Sequence, residues 1–300
     1  MFKKRALKLI ISIVILILIF SISFSKTLPI TLKDDLGRTI VINKYPERII
    51  SLAPSSTEIL FSIGAGDKVI GVTDFCNYPK EALTKEKVGG FSNPNVEKII
   101  SLKPDLVVLY KSFPKEVFIQ LEKNLPDTNF IVLDPKTYED VMKNIILIGK
   151  AVGKEEEARR VYNNMLKTWL EIQKKTISIK KSPKILFLVW NDPFISVSPS
   201  TFLGDLIKKL KAINIVENKE PEYPVLSIEF IVSKNPDLII IGEMSGISIN
   251  SILNHPLLRE TNAAKNKRVY LINDDLVFRP GPRLAEGLKE LFKIVYPNLN

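Results

Sequence analysis

The sequence has 300 residues, of which 45% are hydrophobic and 25% charged, and its formal net charge at pH 7 is +10. This length and composition suffice for two domains of modest size. Four positive charges lie within the first eight residues and the others alternate with acids, with no basic stripe carrying aromatic residues, which indicates a solvated surface and argues against a nucleic-acid partner.

Residues 1–25 have the pattern of an export signal or N-terminal anchor. Basic residues precede an apolar run from Leu9 to Phe20, and small residues follow at Ser23 and Ser25. We expect export to the periplasm if the segment is cleaved, or to the outer face of the cytoplasmic membrane if it stays as an anchor. Cys76 is the one cysteine of the sequence, so neither an intramolecular disulfide nor a lipid-carrying cysteine after the apolar run is expected.

Strand and helix patterns alternate along residues 26–136, which we predict to form an N-terminal α/β lobe. Residues 30–42 read as a hairpin, and a buried strand follows at 48–52. A helix then begins near Pro54, where the spacing of Ser55 and Glu58 predicts a capping box.

Residues 137–181 carry the one long helical pattern, which we predict to be a connecting helix. Thr137 can cap its start, with Asp140 three residues later. Gly149 and Gly153 weaken the middle, so we expect a kink or break near residues 152–153. Some forty helical residues would form a rod of roughly 60 Å, longer than one small domain can bury. The sequence therefore predicts a stiff rod between two lobes.

Residues 182–300 alternate in the same way and are predicted to form the C-terminal lobe. The segments 96–109 and 228–241 match: in each, a Glu opens a helix, Pro-Asp follows seven and eight residues later, and an apolar strand comes next. This match indicates a duplicated unit. The predicted fold class is α/β, with two Rossmann-like lobes of parallel sheet joined by one long interdomain helix.

Glu97 and Glu229 occupy equivalent places in the two repeats. Each acid favours the dipole at a helix N-terminus, which is an ordinary structural role. One such charge on each lobe would also suit docking onto a basic partner with two-fold symmetry.

Aromatic residues follow the strands of both lobes, where ligands of open α/β sheets bind. They are Phe75, Tyr78, Phe91, Tyr110, Phe194, Tyr223 and Phe278. Facing lobes would gather these rings into a cleft for a large, flat, partly apolar ligand. The alternative is that each ring is a core or rim residue.

Catalytic and metal chemistry are poorly supported. His255 is the one histidine and has no Cys or His partner in the sequence around it, which favours a helix-capping or surface role over metal ligation. Ser55 and Ser56 lack the G-x-S-x-G context of a nucleophile. We expect no catalytic residue, no metal site and no cofactor; a two-lobed α/β enzyme is the less favoured alternative.

Three motifs in the first lobe resemble a known family. They are RIISLAPSSTEILFSIGAG from Arg48 to Gly66, the following VIGVTDFCNYP, and N-x-E-x-I-x-x-L-K-P-D-L-V from Asn95. They are similar to the periplasmic cobalamin-binding proteins of vitamin B12 importers. More broadly they resemble the helical-backbone metal-receptor superfamily (class III solute-binding proteins), which includes siderophore- and haem-binding proteins. The resemblance covers nearly the whole chain after residue 25 and is looser in the second lobe.

The resemblance implies a function and a set of site residues. Aromatic loops would hold a corrinoid, and polar groups at its edge would meet the last loop. The residues at the matching positions are Phe75, Phe91, Tyr110, Phe194 and Tyr223 for the rings, and Asp275 and Arg279 for the edge. Three family tryptophans are Phe or Tyr here, at Phe91, Tyr110 and Tyr223. Glu97 and Glu229 match the glutamates that engage arginines of the permease.

The implied protein is a monomeric solute-binding protein of an ABC importer. It would capture cobalamin or a related corrinoid and deliver it to a permease with its ATPase subunits. A ferric siderophore or haem is the alternative ligand. Anionic siderophores call for several convergent basic residues, of which the sequence identifies Arg279.

Overall fold

The computed structural model describes residues 28–299, so the predicted export segment lies outside the described part of the chain. Within residues 28–299, the structure contains no helix that combines the length and the apolar character needed to cross a membrane. The sequence-based limits 26–136, 137–181 and 182–300 stay predictions, and the lobes are described below by their sheets.

The first lobe is built on a five-stranded parallel sheet. An antiparallel hairpin of β1 (Ile30–Lys33) and β2 (Thr39–Ile42) precedes it, as predicted. The sheet strands are β3 (Ile49–Ser51), β4 (Val69–Val72), β5 (Glu86–Lys87), β6 (Leu106–Tyr110) and β7 (Asn129–Leu133), in the order β5-β4-β3-β6-β7. The helices are α1 (Pro54–Ser62), α2 (Val96–Ser101) and α3 (Lys115–Asn124). Because the order reverses at β3, the carboxyl ends of β3 and β6 border a crevice suited to ligands.

The predicted connecting helix is in fact two helices, α4 (Tyr138–Ala151) and α5 (Glu155–Thr176). Thr137 and Asp140 form the expected capping box at the start of α4. The expected break is also present: Gly153 has φ 73°, and the Lys154 N–H donates to the Gly149 carbonyl oxygen at 2.7 Å. This left-handed glycine closure ends α4 and lets the chain reverse.

The two helices pack against each other as an antiparallel pair. The Tyr138 hydroxyl, at the first residue of α4, donates to the Met165 carbonyl oxygen in the middle of α5 at 3.0 Å. The predicted rod of forty residues is therefore wrong in length. The long helix is α5, whose 22 residues span roughly 33 Å. The break allows α4 to fold back along α5 and bury a second apolar face.

The second lobe repeats the plan with a sheet in the order β10-β8-β11-β12. Its strands are β8 (Lys184–Trp190), β9 (Ile195–Ser196, antiparallel to β8), β10 (Ile213–Asn214), β11 (Leu238–Gly242) and β12 (Val269–Ile272). Its helices are α6 (Phe202–Lys209), α7 (Ile228–Lys234), α8 (Ile249–Leu253), α9 (Asn262–Lys265), α10 (Asp274–Val277) and α11 (Leu284–Val295). Both main sheets are covered on both faces, as predicted for parallel strands.

One apolar core is shared by the two lobes. Alternate residues of the strands, such as Ile49 in β3 and Phe187 in β8, join the same buried cluster as residues of α4 and α5. The opposite faces of the two sheets have separate clusters, around Val107 in the first lobe and Ile239 in the second. Because α5 packs on both α1 and α11, the helical pair lies between the lobes and fixes their relative position.

The duplicated segment is visible in its hydrogen bonds. The Asp105 carboxylate accepts from the Arg48 N–H at 2.9 Å, where β3 begins, and the Asp237 carboxylate accepts from the Lys184 N–H at 2.9 Å, where β8 begins. The residue before each Pro-Asp pair has a left-handed backbone, with φ 45° in the first copy and 48° in the second. The two lobes therefore share a structural unit as well as a sequence pattern.

We predict that Gly149→Ala destabilises the protein by about 1–3 kcal/mol, because an added methyl group would collide with Ala158 and lie 2.9 Å from the Lys154 carbonyl oxygen. Thermal unfolding checks this. Lys143→Ala, at an exposed position of α4, is the control and should change the free energy of unfolding by less than about 0.5 kcal/mol. Since alanine favours isolated helices over glycine, an increase in melting temperature would contradict the close packing of α4 on α5.

Candidate functional site: the interlobe cavity

A cavity of about 390 Å³ lies between the two lobes. The loops after β6 and β7 form its first-lobe wall, and the start of α6 with the loop before α7 forms the opposite wall. The residues used below are Tyr110, Lys111, Asp134 and Lys136 on one side and Glu222, Tyr223 and Pro280 on the other.

Two of the predicted rings line this cavity, one from each lobe. Tyr110 ends β6, and its hydroxyl donates across the gap to the Pro280 carbonyl oxygen at 3.3 Å. Tyr223 lies on the opposite wall with 44% of its surface exposed. Burial raises the pKa of both phenols, with the neighbouring Glu222 charge adding to the effect at Tyr223. Both hydroxyls therefore stay protonated at neutral pH and can donate hydrogen bonds.

The other five predicted rings lie outside the cavity lining. Tyr78 stacks on Arg283 and Phe278 packs edge-on against Phe187. Phe75 follows β4 and is 63% exposed. Phe91 packs edge-on against Phe113, with ring centroids 6.0 Å apart, and Phe194 packs on the outer cluster of the second lobe. Phe91 and Phe194 thus have the partly buried contacts of core and rim residues. Phe75 offers an open ring face.

Two lysines of the first lobe face the cavity, and both are paired with carboxylates. Asp134 accepts from Lys111 at 3.1 Å and from Lys136 at 3.0 Å. Lys136 also reaches Glu222 on the second lobe at 2.5 Å. This pair connects the two walls of the cavity. Sequence reasoning missed it, because the two residues lie 86 positions apart with no motif joining them.

Arg279 and Asp275, predicted to meet the ligand edge, belong to an interlobe ion-pair network. The Arg279 guanidinium donates to Asp275 of its own lobe at 2.6 Å, and to Asn77 at 2.7 Å and Glu58 at 3.2 Å on the first lobe. The Glu58 side chain is only 1% exposed. A second arginine, Arg283, binds the same carboxylate at 2.6 Å.

The predicted capping box of Ser55 and Glu58 is wrong. The helix α1 begins at Pro54, its N-cap is Ala53, and the structure gives the N-cap no side-chain hydrogen bond. The Glu58 carboxylate turns away from the N-terminus of α1 toward the arginines of the second lobe. The pairing of Glu58 with Arg283 spans 225 positions, so a local pattern could not reveal it.

The cavity and its edge carry balanced charge. The four cationic side chains are Lys111, Lys136, Arg279 and Arg283, and the four carboxylates are Asp134, Glu222, Asp275 and Glu58. Each cation has at least one carboxylate within 4 Å. The site thus offers polar groups in fixed places without a surplus of positive charge.

Glu97 and Glu229 lie at equivalent, exposed positions. Each is the second residue of its helix, α2 or α7, and a side chain caps both helices, Asn95 in the first and Ser227 in the second. Among residues 28–299 the structure gives neither glutamate an ion-pair partner within 4 Å. Both carboxylates are therefore available to a partner.

Residues 28–299 contain no group of three His, Cys, Asp or Glu side chains placed to hold a metal ion. His255 caps a turn: its Nδ1 accepts from the backbone N–H groups of Leu257 and Leu258 at 3.2 and 3.3 Å. The capping role favoured by the sequence is therefore confirmed.

Comparisons with known proteins agree with this architecture. The family model described as periplasmic binding protein matches residues 49–276. The uncharacterized ABC transporter substrate-binding lipoprotein YvrC of Bacillus subtilis is 37% identical over 280 residues, covering 91% of this chain and 88% of that protein. The structure of the periplasmic vitamin B12 binding protein BtuF of Vibrio cholerae aligns with a TM-score of 0.74 and 26% identity, covering 84% of this chain and 97% of that one.

A possible iron-binding, periplasmic solute-binding protein from Staphylococcus epidermidis aligns with a TM-score of 0.73 and 29% identity, covering 84% of this chain and 100% of that one. The resemblance drawn from the first-lobe motifs and the two-lobed α/β fold class are confirmed by these matches. The chain belongs to the periplasmic binding protein family, as a substrate-binding protein of an ABC transporter.

Proposed function

We propose that this substrate-binding protein captures a corrinoid, cobalamin or a close relative, between its lobes and delivers it to the permease of an ABC importer. The observation that carries the proposal is the pair of rings, Tyr110 and Tyr223, on opposite walls of one cavity whose charges are already paired. Aromatic walls supply apolar contact area for a flat macrocycle, and the Tyr223 hydroxyl can donate to its polar edge.

Charge balance favours a ligand rich in amides over a multiply charged anion. Corrin rings carry amide side chains at their edge, which accept and donate hydrogen bonds without net charge. An anionic siderophore or haem would have to displace a carboxylate from each cation that it used, for example Asp134 from Lys111. Leaving a displaced carboxylate unpaired near the cavity costs free energy. A ferric siderophore or haem is therefore the second candidate, supported by the presence of four cations around the site.

The cavity must widen to take a corrinoid. Its volume of about 390 Å³ lies near the lower limit for small-molecule sites, and a corrinoid is larger than the ligands typical of that range. We expect the lobes to part at the contact of Lys136 with Glu222, which joins the two walls of the cavity and is partly exposed. The exposed ring of Phe75 would then meet the part of the ligand that protrudes.

The proposed place of action is outside the cytoplasm, in the periplasm or at the outer face of the cytoplasmic membrane. The partners are a permease and its ATPase subunits, and the receptor works as a monomer. Glu97 and Glu229 would bind basic side chains on the permease, one from each half of a two-fold symmetric surface. An enzymatic role is the less favoured alternative, since the chain belongs to a family of receptors.

The proposed ligand class is tested by mixing the purified protein with cyanocobalamin, haemin or ferric ferrichrome and separating the mixture by gel filtration. We expect cyanocobalamin to elute with the protein. Retention of haem or of the ferric siderophore alone would reject the corrinoid assignment.

Tyr223→Ala should weaken cyanocobalamin binding about tenfold, because one aromatic wall of the cavity is lost. Tyr223→Phe is the matched control, since it keeps the ring and removes only the hydroxyl; it should retain most of the affinity. Titration calorimetry measures both. Equal affinities for the alanine variant and the original protein would exclude Tyr223 from the site.

Charge reversal of both docking acids, Glu97→Lys with Glu229→Lys, should abolish delivery while leaving capture unchanged. Uptake of labelled cobalamin into cells and binding by the purified protein measure the two steps. The control reverses Glu116 and Glu286, which are also exposed acids in first helical turns, so any cost at the helix dipole is similar. Normal uptake by the Glu97/Glu229 variant would show that the docking surface lies elsewhere.

A further inference from the structure

Residues 279–283 make several polar contacts between the second lobe and the first. Pro280 accepts the hydrogen bond from Tyr110, and a methyl group placed on Gly281 would lie 3.4 Å from the Ser55 carbonyl oxygen. Arg279 and Arg283, at the two ends of this segment, share the buried carboxylate of Glu58. The two arginines nevertheless bind that carboxylate in different ways.

Arg283 binds Glu58 with two hydrogen bonds. Its Nε donates to Oε2 at 2.9 Å and its Nη2 donates to Oε1 at 2.6 Å, which is the paired geometry that makes arginine–carboxylate contacts strong and directional. Its guanidinium carbon also lies 4.0 Å from the centre of the Tyr78 ring. The hydrogen bonds with Glu58 raise the pKa of Arg283, so the guanidinium stays positively charged. Both contacts are with the first lobe, and Arg283 itself precedes α11.

Arg279 divides its donors among three residues. It makes one bond each to Asp275, Asn77 and Glu58, and its contact with Glu58, at 3.2 Å, is the longest of the three. If Arg279 turned away, both oxygens of Glu58 would still be bound by Arg283. If Arg283 turned away instead, Arg279 would still contact Oε1, but Oε2 of Glu58 would lose its donor.

We propose that Arg283 is a positioning residue that fixes Glu58 and the spacing of the lobes. Arg279, which the family resemblance already implies at the ligand edge, is the arginine that can exchange its protein acceptors for those of the ligand. The role of Arg279 rests on the proposed capture of a corrinoid, whose amide oxygens are suitable acceptors. The role of Arg283 does not depend on the ligand.

This division makes one edge of the cavity fixed and the other mobile. The pair of Arg283 and Glu58 is buried, with side chains 15% and 1% exposed, so breaking it would leave a buried charge without its partner. The pair of Lys136 and Glu222 is 40% and 36% exposed, and water can replace each partner at little cost. The lobes would therefore pivot about Glu58 and open at Lys136.

The first test compares melting temperatures, with no ligand present. Arg283→Gln should lower the melting temperature by roughly 6–12 °C, whereas Arg279→Gln and Lys136→Gln should each lower it by less than about 3 °C. Arg259→Gln, at an exposed arginine remote from the cavity in sequence and paired with the exposed Glu260, is the control and should leave the melting temperature unchanged. An equal loss for Arg279→Gln and Arg283→Gln would overturn the division of roles.

The second test separates positioning from simple stability. Combining Glu58→Gln with Arg283→Gln also removes the buried charge that Arg283→Gln leaves without its partner. The double variant should therefore recover at least half of the decrease in melting temperature caused by Arg283→Gln. Binding of cyanocobalamin, measured by calorimetry, should stay about tenfold or more weaker than in the original protein, because the spacing of the lobes is no longer fixed. Full recovery of affinity together with stability would reduce Arg283 to a structural role and overturn the proposal.

Arg279→Gln provides the matching result for the ligand-facing arginine: it should weaken cyanocobalamin binding about tenfold while the melting temperature stays within about 3 °C. Unchanged binding by this variant would overturn the role of Arg279. Failure of the original protein to bind cyanocobalamin would instead reject the proposed corrinoid ligand. The melting temperatures of the arginine variants would still show whether Arg283, and not Arg279, holds Glu58 and the two lobes together.

Discussion

The structure depends on one constraint: a pair of packed helices lies between the two sheets and shares a core with both. Residues of α4 and α5 join inner-face residues of both lobes in a single buried cluster. A close-packed core of this kind resists changes in the distance between its elements. The lobes are therefore not free to swing widely.

Polar contacts then decide how the cavity is closed. Glu58 lies in α1, which packs on the helical pair, and it receives arginines from the segment before α11. Lys136 and Glu222, by contrast, lie on loops and remain partly exposed. Breaking the buried pair of Glu58 and Arg283 therefore costs more free energy than breaking the partly exposed pair of Lys136 and Glu222, because water can replace the partner only in the second pair. In the proposed opening, this difference would let the lobes part at Lys136 while Glu58 and Arg283 keep their alignment.

The site was only partly predictable. Tyr110 and Tyr223, both named from the sequence, line the interlobe cavity. Tyr110 does so because it ends β6, at the ligand side of the sheet. Phe91 and Phe194 follow similar elements yet pack on the outer clusters, since a loop of a few residues can turn a ring to either side. Glu58, Lys136, Glu222 and Arg283 were missed, because ion pairs between residues 86 and 225 positions apart leave no local pattern.

The sequence by itself determined the alternation of strands and helices, the duplicated Glu–Pro-Asp unit, the capping box at Thr137 and the break at Gly153. These features depend on local backbone chemistry and on periodic burial, which neighbouring residues specify. Only the tertiary structure decided that α4 folds back along α5, that Glu58 faces the second lobe, and which rings line the cavity. Those outcomes depend on which surfaces pack together, and the free energy of packing belongs to pairs of elements far apart in the chain.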